Sequence, residues 1–262
     1  MNNFNLNRFK KVVVRDFNST YSLFGLSMLI TMLLPLFIWM LGLAFQDDVV
    51  ETYNRENFIM IAVILTAAIS SMKIYNSCNL TGKGNYFAML PASLCEKFSS
   101  MILYCFIICP LVVFVGAYAV DTLLTLLPFG PYEDFLWQKP EWYEKLQELR
   151  LGAFPSFFLS ASDIIVISSM FMFANTIFKK NKFIKTILWI ILICFVCVLI
   201  AAPIFRNLDW DLNWFRTLAK WFKDKEPQQI LRIYFWTRLL FAIVVTSVFS
   251  FFTYRRLKKM QY

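Results

Sequence analysis

Apolar runs about as long as a bilayer is thick recur six times along the chain, each bounded by a polar stretch. They fall at approximately 21–45, 58–75, 101–127, 155–178, 183–204 and 233–254. A helical crossing needs roughly 20 mostly apolar residues, so each run is read as one span and none as two. Open strand edges find no hydrogen-bond partners in lipid, so the expected fold is all-α. The pattern predicts a polytopic membrane protein with six transmembrane helices, forming a single transmembrane domain over residues 1–262. Pro35, Pro110 and Pro203 fall inside these runs, where proline kinks or ends a helix.

Three segments outside the runs keep a helical period. In residues 1–18, Phe9, Val12, Val13 and Phe17 share a face, while Arg8, Lys11 and Arg15 point elsewhere. That predicts a basic amphipathic helix lying in the headgroup layer rather than a plain basic flank. The segments 128–154 and 205–232 are predicted as helical pieces on the other side of the membrane. Pro140 opens the first, followed by Trp142, Tyr143, Leu146 and Leu149. In the second, Trp210, Trp214, Leu218, Trp221 and Phe222 recur at helical spacing, and tryptophan at that density belongs at a membrane–water interface. The apolar run that starts near Tyr21 is longer than the 7–15 residues of a cleavable signal core, so it is read as the first span.

Charge adds an orientation. Arg8, Lys10, Lys11 and Arg15, then Lys73, Lys83 and Lys97, then Lys179, Lys180, Lys182 and Lys185, and finally Arg255, Arg256, Lys258 and Lys259 hold most of the chain's 26 Lys and Arg. Asp16 and Glu96 are the acids among them. Asp47, Asp48, Glu51, Glu56, Glu133, Asp134, Glu141, Glu144 and Glu148 fall on the alternate side. Basic loops stay inside, so both N- and C-termini are expected to be cytoplasmic. Most of the net charge of +9 is then topology, and no nucleic-acid partner is expected.

Composition agrees: the chain is 59% hydrophobic and 16% charged, against roughly 45–50% and about 25% for soluble domains. With no His at all, Ser-His-Asp and Cys-His pairs and the H-E-x-x-H zinc site are excluded. Cys78 and Cys95 are expected on the cytoplasmic side, and Cys105, Cys109, Cys194 and Cys197 inside spans. No disulfides are expected, and the four buried sulfurs are read as small packing residues rather than a zinc site. Thr81-Gly82-Lys83-Gly84 imitates a phosphate loop. However, Ser77 stands where the first glycine of G-x-x-x-x-G-K-[ST] belongs and Gly84 where the hydroxyl belongs, so no nucleotide is expected to bind there. No metal, no cofactor and no enzymatic activity are expected of this chain.

Two charges lie inside spans, Asp163 and Arg238, each roughly 8–12 Å below the outer surface at 1.5 Å per residue. Intramembrane charge is costly and is read as functional by default. Equal depth and opposite sign predict an ion pair, a lock or gate between helices, with two separate snorkelling side chains as the competing reading.

The polar connection 76–100 carries most of the remaining information. Ser93 followed by Glu96 is a capping box, which starts a helix at Leu94 that runs to Leu127. At 1.5 Å per residue that helix is about 51 Å long and must project into the cytoplasm. Tyr86, Phe87, Met89 and Leu90 form an apolar cluster ahead of it, which either docks a partner or tucks beneath its own bundle.

This organisation resembles the membrane subunit of ABC exporters of the type-2 permease class. The local likeness is Gly84-Asn85-Tyr86-Phe87 followed by Leu90-Pro91-Ala92-Ser93-Leu94-Cys95-Glu96-Lys97, similar to the family's leucine-proline-x-serine-x-x-glutamate-lysine run. The chain departs from the family upstream, with Tyr75-Asn76-Ser77-Cys78 in place of an acidic-basic cluster. The resemblance implies that 76–100 is a coupling segment. Tyr86, Phe87, Leu90, Pro91, Ser93, Glu96 and Lys97 would form the interface with a separate cytoplasmic ATPase subunit, and ATP-Mg would be bound by that partner. It further implies a homodimer or heterodimer of permeases in a cell membrane, the bacterial inner membrane, exporting an apolar or amphipathic substrate (lipid, peptide or drug-like) by alternating access. The rival from another class is a non-transport membrane scaffold or sensor that docks a cytoplasmic partner through 85–97.

Overall fold

The computed structural model describes residues 4–45, 52–79, 90–128, 130–132, 134–136, 154–207 and 227–260. These residues are helical, with no strand among them. The helices are α1 (Leu6–Met32), α2 (Leu34–Phe45), α3 (Thr52–Ile74), α4 (Leu94–Ile102), α5 (Cys109–Thr125), α6 (Phe154–Ile177), α7 (Lys182–Asn207) and α8 (Pro227–Met260), with a 3₁₀ turn at Asn76–Asn79. Among the described residues, five helical segments are long and apolar enough to cross a membrane: Phe24–Ala44, Asn54–Ile74, Leu94–Thr125, Ser160–Ile177 and Arg232–Lys259. The fold is that of a membrane-embedded helical protein. The stretch 183–204 lies on α7, which is not among those five.

The first two segments do not divide as their polarity implies. Asn5 caps α1, its side chain accepting from the Asn7 and Arg8 N–H groups at 2.9 and 3.4 Å. From there one helix of 27 residues runs through 18–21 without a break. No Gly or Pro separates the basic stretch from the apolar one, so the helix propagates. The interruption comes at Leu33, because Pro35 cannot donate to the Thr31 carbonyl and crowds it. Residues 6–18 and the apolar stretch that follows them therefore form one continuous helix.

Leu94–Thr125 is one continuous helix of 32 residues, about 48 Å at 1.5 Å per residue. Its middle, Leu103–Ile108, is π-helical and lies just before Pro110. The Cys109 N–H reaches back to the Tyr104 carbonyl, and Pro110 has no N–H, so the Cys105 carbonyl has no donor in its own helix. Ser168 of α6 supplies one, its hydroxyl donating to the Cys105 oxygen at 3.3 Å. A proline in a span is tolerated when a neighbouring helix satisfies the freed carbonyl in this way. Pro203 leaves α7 unbroken to Asn207.

Small residues let α3 and α6 pack closely. Ala62, Thr66, Ala67, Ser70 and Ser71 of α3 and Ser168, Ser169 and Ala174 of α6 are buried. Thr66, Ser70 and Ser169 return their hydroxyls to carbonyls of their own helices at 2.8, 3.0 and 2.7 Å, so none is left unsatisfied in an apolar setting. The main core joins Phe24 and Met28 of α1, Ala62 and Val63 of α3, Met101 of α4, Val113 of α5, Met172 of α6 and Leu257 of α8. Ile184, Leu188, Ile191, Phe195 and Val198 of α7 are exposed.

Candidate functional site

One end of the bundle gathers the N-terminus of α1, the turn after α3, the start of α4, the α6–α7 turn and the end of α8. Here the capping box of α4 is complete: the Ser93 hydroxyl accepts from the Glu96 N–H at 3.3 Å, and Glu96 Oε2 accepts from the Ser93 N–H at 2.8 Å. The same carboxylate also reaches α1, where Oε1 accepts from the Asn5 N–H at 2.7 Å and from Arg8 Nη2 at 3.2 Å. Glu96 thus clips two helix N-termini together, which places negative charge where both helix dipoles favour it. Around the clip, Tyr254 of α8 meets Phe98 edge-on at 5.5 Å, with its hydroxyl 3.5 Å from Cys95 Sγ.

The segment 90–97 therefore sorts by exposure. Pro91 and Cys95 are exposed and Leu90 is half-buried against the core cluster. Ser93, Glu96 and Lys97 are 7%, 0% and 1% exposed, inside the chain's own packing. Those three hold the segment in place, while Pro91 and Cys95 are what it shows to solvent. Tyr86 and Phe87 lie outside the described residues, as does the Thr81–Gly84 imitation of a phosphate loop.

A second network sits just below. Asp16, 1% exposed, accepts from the Tyr75 hydroxyl at 2.9 Å, from the Ser100 hydroxyl at 2.6 Å and from Arg15 Nε at 3.0 Å, so α1, the residue that follows α3, and α4 meet on one carboxylate. Beside it, Lys182 at the start of α7 donates to the Asn76 carbonyl at 2.8 Å and to Asn175 Oδ1 at 2.7 Å. The Asn175 amide in turn donates to the Ser71 and Tyr75 carbonyls at 2.9 and 3.1 Å. Asn181 makes the turn into α7 with φ of 50°, a left-handed conformation that Asn tolerates better than most residues. Burial pushes the Cys78 thiol, in the 3₁₀ turn, up to about 12.

The opposite end is closed by an ion pair. Arg55 of α3 and Asp121 of α5 have side chains 1% and 2% exposed. Arg55 grips both Asp121 oxygens, donates to Thr125 Oγ1 at 2.9 Å and to the Asp134 carbonyl at 2.7 Å, and lies 3.9 Å above the Tyr132 ring. Tyr132 donates its hydroxyl to the Pro35 carbonyl at 3.0 Å, which brings α2 into the same cluster. Next to it, Gly130 has φ of 143°, and a Cβ there would stand 2.5 Å from Trp39 Nε1. Only glycine fits that approach.

Asp163 of α6 and Arg238 of α8 form an ion pair, with side chains 39% and 36% exposed. Arg238 Nη1 also donates to the Tyr234 hydroxyl at 2.8 Å. One residue along α6, Ile164 and Ile165 line an apolar groove of about 250 Å³ with Met60 and Val63 of α3, Phe106 of the π-helical stretch and Pro110 at the start of α5. The widened turn of the π segment and the ring of Pro110 thus shape a recess among three helices. Among the described residues no cluster of His, Cys, Asp and Glu is arranged to hold a metal ion.

Sequence reasoning missed the Arg55–Asp121 pair and the Asp16 hub. Both had a signal: Arg55 is a basic residue on the acid-rich side, and Asp16 is an acid among basic ones. A charge that breaks the loop pattern has another use. No protein-family model, no curated protein and no solved structure matches this chain.

Proposed function

We propose that the chain is the permease subunit of an ATP-driven exporter, with six spans and cytoplasmic termini, acting as a homodimer or heterodimer with separate ATPase subunits in a cell membrane such as the bacterial inner membrane. One observation carries the reading: a partner-accessible tip at Pro91 and Cys95 is rigidly joined to a 32-residue helix that runs the depth of the bundle. The Ser93–Glu96 box starts that helix and Glu96 ties it to α1, so a push on the tip moves two helices together. The helix passes the apolar groove beside Phe106 and Pro110, a place for an apolar or amphipathic substrate. Its far end is the Asp121–Arg55 pair, which holds the outer mouth closed. Energy enters from the partner, and this chain transmits it.

The test replaces Tyr86, Phe87 and Leu90 together with serine. The wild-type chain, solubilised from its native membrane, brings down a nucleotide-hydrolysing subunit and stimulates its turnover, whereas the variant inserts but loses that subunit. Leu90 packs on the core, so an unchanged melting temperature is required before loss of binding is read as loss of the interface. A variant that keeps wild-type stoichiometry refutes the docking role of this segment. A wild-type chain that carries no ATPase refutes the exporter reading and leaves the scaffold or sensor, which the locks at both ends of the bundle favour.

A further inference from the structure

The end of the bundle that holds Arg8 and Lys182 also carries a cleft between α6 and α8. It encloses about 280 Å³ and is lined by Phe173 and Ile177 of α6 and by Phe252, Arg255, Arg256 and Lys259 of α8. Positions 252, 255, 256 and 259 recur at helical spacing, so one face of α8 presents an aromatic ring and then three cations. On α6, Phe173 and Ile177 are one turn apart and form the facing wall. Phe173 packs against Phe249 and Phe252 at 5.5 and 5.9 Å, which fixes the apolar floor.

The three cations are exposed, and no ion pair among the described residues engages them. Arg256 Nε donates to the Thr176 carbonyl at 3.3 Å, which holds its guanidinium at the mouth of the cleft. Three like charges within two turns repel one another unless an anion sits among them. Residues that only set orientation need no apolar wall from a second helix, but here cations and aromatic rings share one concavity. Inorganic phosphate would use the cations and leave the floor empty, whereas a phospholipid uses both.

We propose that this cleft binds an anionic phospholipid, with its phosphate on Arg255, Arg256 and Lys259 and the upper part of an acyl chain against Phe173, Ile177 and Phe252. Basic pockets between helices at the membrane surface recognise lipid headgroups by this combination of charge and apolar contact. The inference needs only a membrane-embedded chain and stands apart from the exporter reading.

The test compares the full chain in nanodiscs of phosphatidylcholine alone and of phosphatidylcholine with phosphatidylglycerol, reading the melting temperature and the lipid retained in native mass spectrometry. The wild type melts higher in the mixed discs and retains phosphatidylglycerol. R255Q/R256Q/K259Q loses most of the shift and binds the lipid about tenfold or more weakly, as expected when three cations leave an anionic headgroup. K10Q/K11Q/K185Q, which removes the same charge from exposed positions elsewhere, keeps both signals. An equal loss in the two triple variants means diffuse surface charge and overturns the site. A shift that inorganic phosphate reproduces in phosphatidylcholine discs makes the ligand a free anion and overturns the lipid. Should the first triple variant not fold, R255Q and K259Q are compared singly, and wild-type lipid retention in both overturns the proposal as well.

Discussion

Breaking an ion pair costs more the less water can reach the charge left behind, and this chain offers two pairs that differ sharply in that respect. Arg55 and Asp121 are both within 2% of full burial, whereas Asp163 and Arg238 keep over a third of their side-chain surface. Removing one partner of a buried pair costs about 3–5 kcal/mol. Arg55→Gln and Asp121→Asn should each therefore lower the detergent melting temperature sharply, with the double variant recovering part of the loss. Asp163→Asn and Arg238→Gln should do the same more mildly, with a coupling of about 1 kcal/mol for residues in contact. Double-mutant cycles on both pairs make the comparison. A larger coupling at Asp163–Arg238 than at Arg55–Asp121 would contradict the burial argument, and strictly additive effects would mean that the pair in question does not act as one. Depth along two spans was enough to nominate Asp163 and Arg238 as a pair. Arg55 and Asp121 are 66 positions apart near the ends of different helices, and their meeting depends on how α3 and α5 are staggered, which no local pattern encodes.

Helices begin and break for local reasons, and these were legible. Ser93 and Glu96 are three residues apart and satisfy each other's N–H groups in any context, so the start of α4 at Leu94 follows from the sequence. Pro35 likewise sets the break between α1 and α2. What a local pattern omits is the second use of a capping residue. Glu96 also holds Asn5 and Arg8, and that contact exists only once α1 lies across α4. The π-helical turn before Pro110 was hidden for a similar reason, because its freed carbonyl is satisfied by Ser168 from another helix. The joint between α3 and α4 gives a direct chemical test. Cys78 is buried and its thiol is held protonated by an ordinary value raised to about 12, while Cys95 at the tip is exposed. The thiolate is the reactive species, so in single-cysteine variants a maleimide at pH 7–8 should modify Cys95 within minutes and Cys78 only after denaturation. Because Cys78 loses its proton only near pH 12, raising the pH to 9 should not rescue its labelling. Fast labelling of Cys78 in the folded protein would mean that the 3₁₀ turn opens freely and that the Lys182–Asn76 contact does not hold it.

At the scale of the molecule, the ends of the bundle differ in charge in a way that the loop pattern alone anticipates. Arg8, Lys97, Lys182 and Arg256 come together at one end, and the Arg55–Asp121 pair closes the other. The excess of Lys and Arg at the first end is the sign expected of a cytoplasmic face. The number of crossings turns on α7. It begins at Lys182 beside Asn76 and continues for 26 residues, about 39 Å at 1.5 Å per residue, enough to cross a hydrocarbon core of about 30 Å. Position 181 precedes it and position 224 follows it, so the two lie on opposite sides if α7 is a sixth span and on the same side if it is not. Single cysteines at Glu144, Asn181 and Asp224 in a cysteine-free chain, probed in sealed cells with an impermeant thiol reagent, separate the alternatives. Labelling at 144 and 224 with protection at 181 is the expected outcome and gives six spans with both termini inside. Labelling at 181 alone inverts the molecule, placing Pro91 and Cys95 outside, where no ATPase can reach them. Matching behaviour at 181 and 224 removes α7 as a span, leaves the five crossings Phe24–Ala44, Asn54–Ile74, Leu94–Thr125, Ser160–Ile177 and Arg232–Lys259, and puts the two termini on opposite sides of the membrane, which overturns the six-span reading.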